Sequence, residues 1–138
     1  MGSAARGVSS RAMPLEHLDH VNLRTHNVAR MIEFYASVLG LRVGPRPAFA
    51  FGGAWLYCAD RAAVHLVEVG EQPSPSGELS LEHFAFVADG FDEFEQRLQA
   101  AGIEYRTSRQ LGSETRQLNL RDPDGNRIHI DFPAHLAK

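Results

Sequence analysis

A single cysteine, Cys58, stands in 138 residues, so no intrachain disulfide can form. That scarcity fits a reducing, cytoplasmic setting. Cys58 lies in a strand-like run and is expected to be packed and inert, as free cysteines usually are. No run of Lys or Arg occurs and the net charge is only -3, which argues against a nucleic-acid partner. No apolar stretch approaches the length that crosses a bilayer, so no membrane association is expected. Residues 1–14 lack the apolar centre of about 7–15 residues that a secretory signal needs. They read as a disordered leader or tag remnant.

What remains is enough for a folded core, with 43% hydrophobic residues. A single domain is expected over residues 15–133, and it divides into two similar halves. In the first half, His17–Arg24 alternates apolar and polar residues, the pattern of a half-buried strand. Asn27 caps a helix whose apolar face is Val28, Met31, Ile32, Tyr35 and Leu39, and Gly40 ends it. Strands are expected near Leu41–Gly44, Gly53–Ala59 and Ala62–Val69. Gly70–Glu78 is a linker by composition.

The pattern then returns. Leu81–Ala88 resembles Leu18–Thr25. Asp89 is expected to cap a second helix carrying Phe91, Phe94, Leu98 and Ala101 on one face, with Gly102 at its end. Strands follow near Glu104–Ser108, Thr115–Arg121 and Arg127–Phe132. Asp122-Pro123-Asp124-Gly125-Asn126 reads as a tight turn between the last two. The fold class is therefore α+β: two repeated β-α-β-β-β modules, residues 15–70 and 79–133, forming a curved mixed sheet around a cavity.

Four histidines fall at repeat-related places. His20 and His83 occupy the first strand of each module, and His65 and His129 the last, with offsets that agree to within one residue. Strand parity puts each on the face opposite the apolar residues Val21 and Leu23, Val64 and Leu66, Phe84 and Phe86, Ile128 and Ile130. One such histidine would be ordinary; four in register point to one divalent transition metal held by His20, His65, His83 and His129. Zinc, nickel, iron and copper all suit that donor set. His17, His26 and His135 have no repeat partner and are expected at the surface.

The runs LDHVNL, FYASVLGLRV, AVHLVEV, LEHFAFVADGFDEFEQRLQAAGI and DPDGNRIHIDF resemble the vicinal-oxygen-chelate superfamily, which includes glyoxalase, bleomycin-resistance proteins and extradiol dioxygenases. The resemblance covers about residues 15–133. It implies paired modules around a metal, with ligands from the first and last strands of each; carried over, those are the same four histidines. The sequence departs from the family pattern at His129, where a glutamate is usual, and at His65, where glyoxalase also has a glutamate. In glyoxalase such a carboxylate serves as the proton-abstracting base, which the four-histidine set does not supply. Asp131 faces the same way as His129 and is expected either to orient an imidazole or to sit at the cavity rim.

By parity Trp55 and Tyr57 point away from Leu56 and Cys58, and Asn119 away from Leu118 and Leu120. Trp55, Tyr57 and Asn119 are therefore candidate substrate-binding residues, an aromatic wall with a few polar groups. The expected function is a metal-dependent enzyme acting on a small oxygen-chelating substrate, of lyase, isomerase or dioxygenase type. The alternative is a non-catalytic protein that sequesters a small molecule, as bleomycin-resistance proteins do. A homodimer is expected, because the resemblance implies a half-open sheet completed across a subunit interface.

Overall fold

The computed structural model describes residues 14–75 and 79–134. Residues 1–13, part of the linker and His135 lie outside that range.

The first module runs β1 (Val21–Thr25), α1 (Val28–Ser37), β2 (Arg42–Gly44), β3 (Gly53–Cys58) and β4 (Arg61–Glu68). The second runs β5 (His83–Val87), α2 (Phe91–Ala100), β6 (Tyr105–Arg109), β7 (Arg116–Arg121) and β8 (Arg127–Phe132). The strands form two mixed four-stranded sheets of identical plan, ordered β1-β4-β3-β2 and β5-β8-β7-β6. In each, the first and last strands of the module pair in parallel at one side, and the rest is an antiparallel meander. The β-α-β-β-β repeat read from the sequence is thus the architecture.

Local chemistry explains the elements. The Asn27 side chain accepts from the Arg30 backbone N–H at 3.0 Å and starts α1. The expected stripe is buried at Met31 and Tyr35, and Phe34 joins it. The second helix differs from expectation at its start. The residue before it is Gly90, at φ 78°, and no side chain caps the helix. Asp92 and Glu93 occupy the first turn, where negative charge complements the helix dipole. The first strand also begins later than its alternation suggests, at Val21; residues 15–20 are exposed, Leu15 and Leu18 among them. Cys58 is exposed, not packed. It is the last residue of β3, and the chain turns at Ala59 (φ 57°) before its side chain can reach the core.

The apolar faces of both sheets and both helices merge into one core, which includes Met31, Tyr35, Leu56, Val64 and Leu66 from the first module and Leu98, Leu118, Ile128 and Ile130 from the second. A polar clamp also joins the modules. Tyr35 Oη donates to Asp122 Oδ2 at 2.7 Å, and Arg30 pairs with Asp124 at 2.7 Å. Asp122 Oδ1 in turn accepts the backbone N–H groups of Asp124 and Asn126, both at 2.9 Å. This is why the β7–β8 turn carries two aspartates: one closes the turn on itself and both tie it to α1. The histidine faces of both sheets point away from this core.

Candidate metal centre

In the first sheet His20 sits just before β1 and His65 lies within β4, where Asn22 is paired with His65 across the parallel ladder. Trp55 of β3 is the direct partner of His65 on the other side. Their rings form a row across three strands. The centroids of His20 and His65 are 3.9 Å apart with planes at 10°, and those of His65 and Trp55 4.0 Å apart at 12°. The row continues to Phe49, 6.4 Å from Trp55, which stacks on Phe51 at 4.8 Å. The second sheet repeats the histidine pair: His83 and His129 stack at 3.8 Å and 11°. Asn119 replaces the tryptophan, paired directly with His129.

The ring nitrogens have defined partners. His20 Nδ1 lies 2.7 Å from Asp19 Oδ2, and His83 Nδ1 lies 2.5 Å from Glu82 Oε1. In each module the carboxylate belongs to the residue just before the histidine. Each assigns the proton to Nδ1 and leaves Nε2 with its lone pair, as carboxylate partners do for ligating histidines. The hydrogen bond to His20 lowers the Asp19 carboxyl below its ordinary value, and that to His83 does the same for Glu82, with Arg127 at 3.2 Å adding to the effect. The acid-histidine pair was visible in the sequence as LDH and LEH at matching places; reading the histidines alone overlooked it. His65 Nε2 lies 3.0 Å from the Ala62 carbonyl, across the register shift between Leu56 and Tyr57.

His65 is 8% exposed and His129 half-buried. Burial lowers both imidazoles below the usual histidine value, and the charge of the stacked neighbour, His20 or His83, lowers them further. Both are therefore neutral at ordinary pH, the form that can bind a metal.

The chain gathers the four histidines as two pairs, one on each sheet. Among the described residues no three His, Cys, Asp or Glu side chains meet at one point. The four histidines thus do not form one cluster among the described residues. Parity within each module is legible in the sequence and is found; how two sheets face each other is not.

Trp55 stands beside His65 as described. Tyr57 is half-buried, with its hydroxyl donating to the Pro45 carbonyl at 2.7 Å and the Arg42 guanidinium 5.2 Å from its ring. Asn119 donates to Ser108 Oγ at 2.9 Å and to the Arg106 carbonyl at 3.1 Å. Asp131 accepts from Gln117 Nε2 at 3.0 Å, so the carboxylates that orient imidazoles are Asp19 and Glu82 instead. His17 and His26 are exposed, the latter bonded to Gln72. A cavity of about 680 Å³ opens on the histidine face of the second sheet, lined by Tyr105, Arg106, Asn119, Arg121, Arg127 and His129 among others.

The comparisons with known proteins agree with this plan. A family model described as the Glyoxalase/Bleomycin resistance protein/Dioxygenase superfamily matches residues 17–130. The chain is 28% identical over 126 residues to the glutathione transferase FosA of Serratia marcescens, covering 90% of this chain and 86% of that one. A glyoxylase/bleomycin resistance protein/dioxygenase domain from Frankia sp. superposes with a TM-score of 0.71 at 19% identity, covering 86% of this chain and 98% of that one. The fosfomycin resistance protein FosX of Listeria monocytogenes does so with a TM-score of 0.68 at 15% identity, covering 87% and 95%. The chain belongs to the glyoxalase/bleomycin resistance protein/dioxygenase superfamily.

Proposed function

We propose that two chains pair so that His20 and His65 of one meet His83 and His129 of the other around one divalent transition metal, and that the protein is a metal-dependent enzyme acting on a small oxygen-chelating substrate. The observation that carries this reading is the pair of stacked histidine couples, each with a carboxylate on the first-strand imidazole, on faces that do not meet in one chain. Two such couples, brought face to face by a twofold axis, make two equivalent sites in an isologous dimer.

The donor set fits a transition metal. The ring centroids within each couple are 3.9 and 3.8 Å apart. In both modules the two rings lie side by side, with planes at 10° and 11°. All four donors are imidazoles, two of them held neutral by burial, which suits zinc, nickel, iron or copper better than magnesium or calcium. When bound, such a metal supplies Lewis-acid stabilisation of an oxyanion. Asp19 and Glu82 hold the imidazoles in one tautomer. Trp55, Tyr57 and Asn119 would line the space that the substrate enters.

One observation supports a second reading, a protein that binds a small molecule without turning it over. The four positions hold no carboxylate, and the nearby Asp131 is engaged by Gln117, so no carboxylate base faces the cavity from these places. Metal analysis of protein purified without added metal or chelator separates the outcomes. One bound transition metal per chain, lost when both histidines of either couple are replaced, supports the metal site. Metal at background level refutes it and leaves the binding reading.

A further inference from the structure

The two histidine faces are built from different chemistry. On the first sheet the couple continues into rings: Trp55, then Phe49 and Phe51, with the Arg46 guanidinium 5.1 and 5.7 Å from the last two. Phe49 and Phe51 remain 42% and 45% exposed and adjoin Trp55, which makes them a contiguous apolar patch. Trp55 and His65 stack across neighbouring strands, so their faces meet and their edges point off the sheet, and Phe49 tilts against Trp55 at 51°. Ring edges are the positive part of the aromatic quadrupole, and they prefer the face of another π system.

On the second sheet the place of Trp55 is taken by Asn119, and the surrounding side chains are cationic. The cavity there is lined by Arg106, Arg121 and Arg127 against one carboxylate, Glu104. This excess is local, since the chain as a whole carries a net charge of -3. Arg127 pairs with Glu82, and Arg121 donates to the Gly125 carbonyl at 3.1 Å. Arg106 is paired in register with Asn119, the partner of His129, and its charge reaches that histidine. Its guanidinium has no hydrogen bond or ion pair within the described residues and lies on the wall of an open cavity, available to a ligand.

We infer that the substrate is a planar aromatic compound bearing an anionic group, its flat face across the ring row that includes Trp55 and Phe49, and its anion on Arg106. This rests on the reading above, in which the ring wall of one chain and the arginine wall of the other close over one site. An aliphatic anion would leave the ring row uncovered, and a neutral aromatic would leave Arg106 desolvated without a partner. The fork of an arginine suits a carboxylate or phosphonate, which it can hold through two parallel N–H donors.

The test is calorimetric titration of the purified dimer with three probes: benzoate, benzyl alcohol and cyclohexanecarboxylate. Metal content is measured on the same preparation. Benzoate is expected to bind about three- to tenfold more tightly than cyclohexanecarboxylate, the span of an aromatic contact, and about tenfold more tightly than benzyl alcohol. Arg106→Gln should remove the preference over benzyl alcohol and keep that over cyclohexanecarboxylate. Trp55→Leu should do the reverse. The wild-type comparison stands even if Trp55→Leu does not fold. Equal binding of benzoate and cyclohexanecarboxylate by a metal-bearing dimer overturns the planar part; equal binding of benzoate and benzyl alcohol overturns the anionic part. A metal-free monomer overturns the shared-site reading first, and this inference with it.

Discussion

If each metal site draws one histidine couple from each chain, two inactive variants must repair one another. His20→Ala/His65→Ala removes the couple of the first sheet, and His83→Ala/His129→Ala that of the second. Either homodimer keeps two imidazoles at each site and is expected to lose its metal during gel filtration. In the heterodimer the substitutions fall together: one site loses all four imidazoles and the other keeps all four. Random 1:1 pairing makes about half of the dimers mixed, each with one intact site of two, so about 25% of the wild-type metal should return. A site built within one chain gives no intact copy in any combination. The assay is co-expression with two different affinity tags, sequential purification to isolate the mixed dimer, and elemental analysis. The isolated heterodimer should hold about half the wild-type metal. Far-UV circular dichroism guards against misfolding, since His65 is nearly buried between His20 and Trp55. A folded heterodimer without metal, or a double variant that retains as much metal as His26→Ala, would refute the shared site.

Other expectations follow from single contacts. Asp19→Asn and Glu82→Gln should each weaken metal affinity about tenfold or more by releasing an imidazole orientation, measured by competition with a chromophoric chelator; unchanged affinity in both would dismiss the orienting role. Tyr35→Phe should destabilise the chain by about 1.5–3 kcal/mol in urea unfolding, because the buried Asp122 carboxylate loses a donor. A change well under 1 kcal/mol would show that the clamp contributes little. Burial, with Asp122 adding to it, raises the Tyr35 hydroxyl well above its ordinary value. The folded chain therefore keeps that proton where the unfolded chain releases it, and stability should fall as pH rises beyond about 10. In Tyr35→Phe that alkaline slope should be shallower; parallel slopes for the two proteins would contradict the shift.

Much of this molecule is legible in one dimension because its two informative patterns are local. Alternation marks β3, β4, β7 and β8, the 3.6-residue stripe marks both helices, and the Asp122–Asn126 turn carries its own geometry. The repeat then converts local patterns into a topology, since two copies of one unit give two sheets of one plan. The same parity put His20, His65, His83 and His129 on the faces away from the core. Where the expectation failed, a longer-range cause prevailed. Asp89 does not cap α2 because Gly90 turns the chain there with a left-handed residue. Cys58 lies outside because a strand end leaves the sheet before its side chain reaches the core. Only the tertiary structure decided which residues meet across modules: Tyr35 with Asp122, and the two histidine couples on separate sheets. A sequence fixes the face on which a side chain stands through its period, but the meeting of two faces depends on how whole sheets pack, and no single segment encodes that.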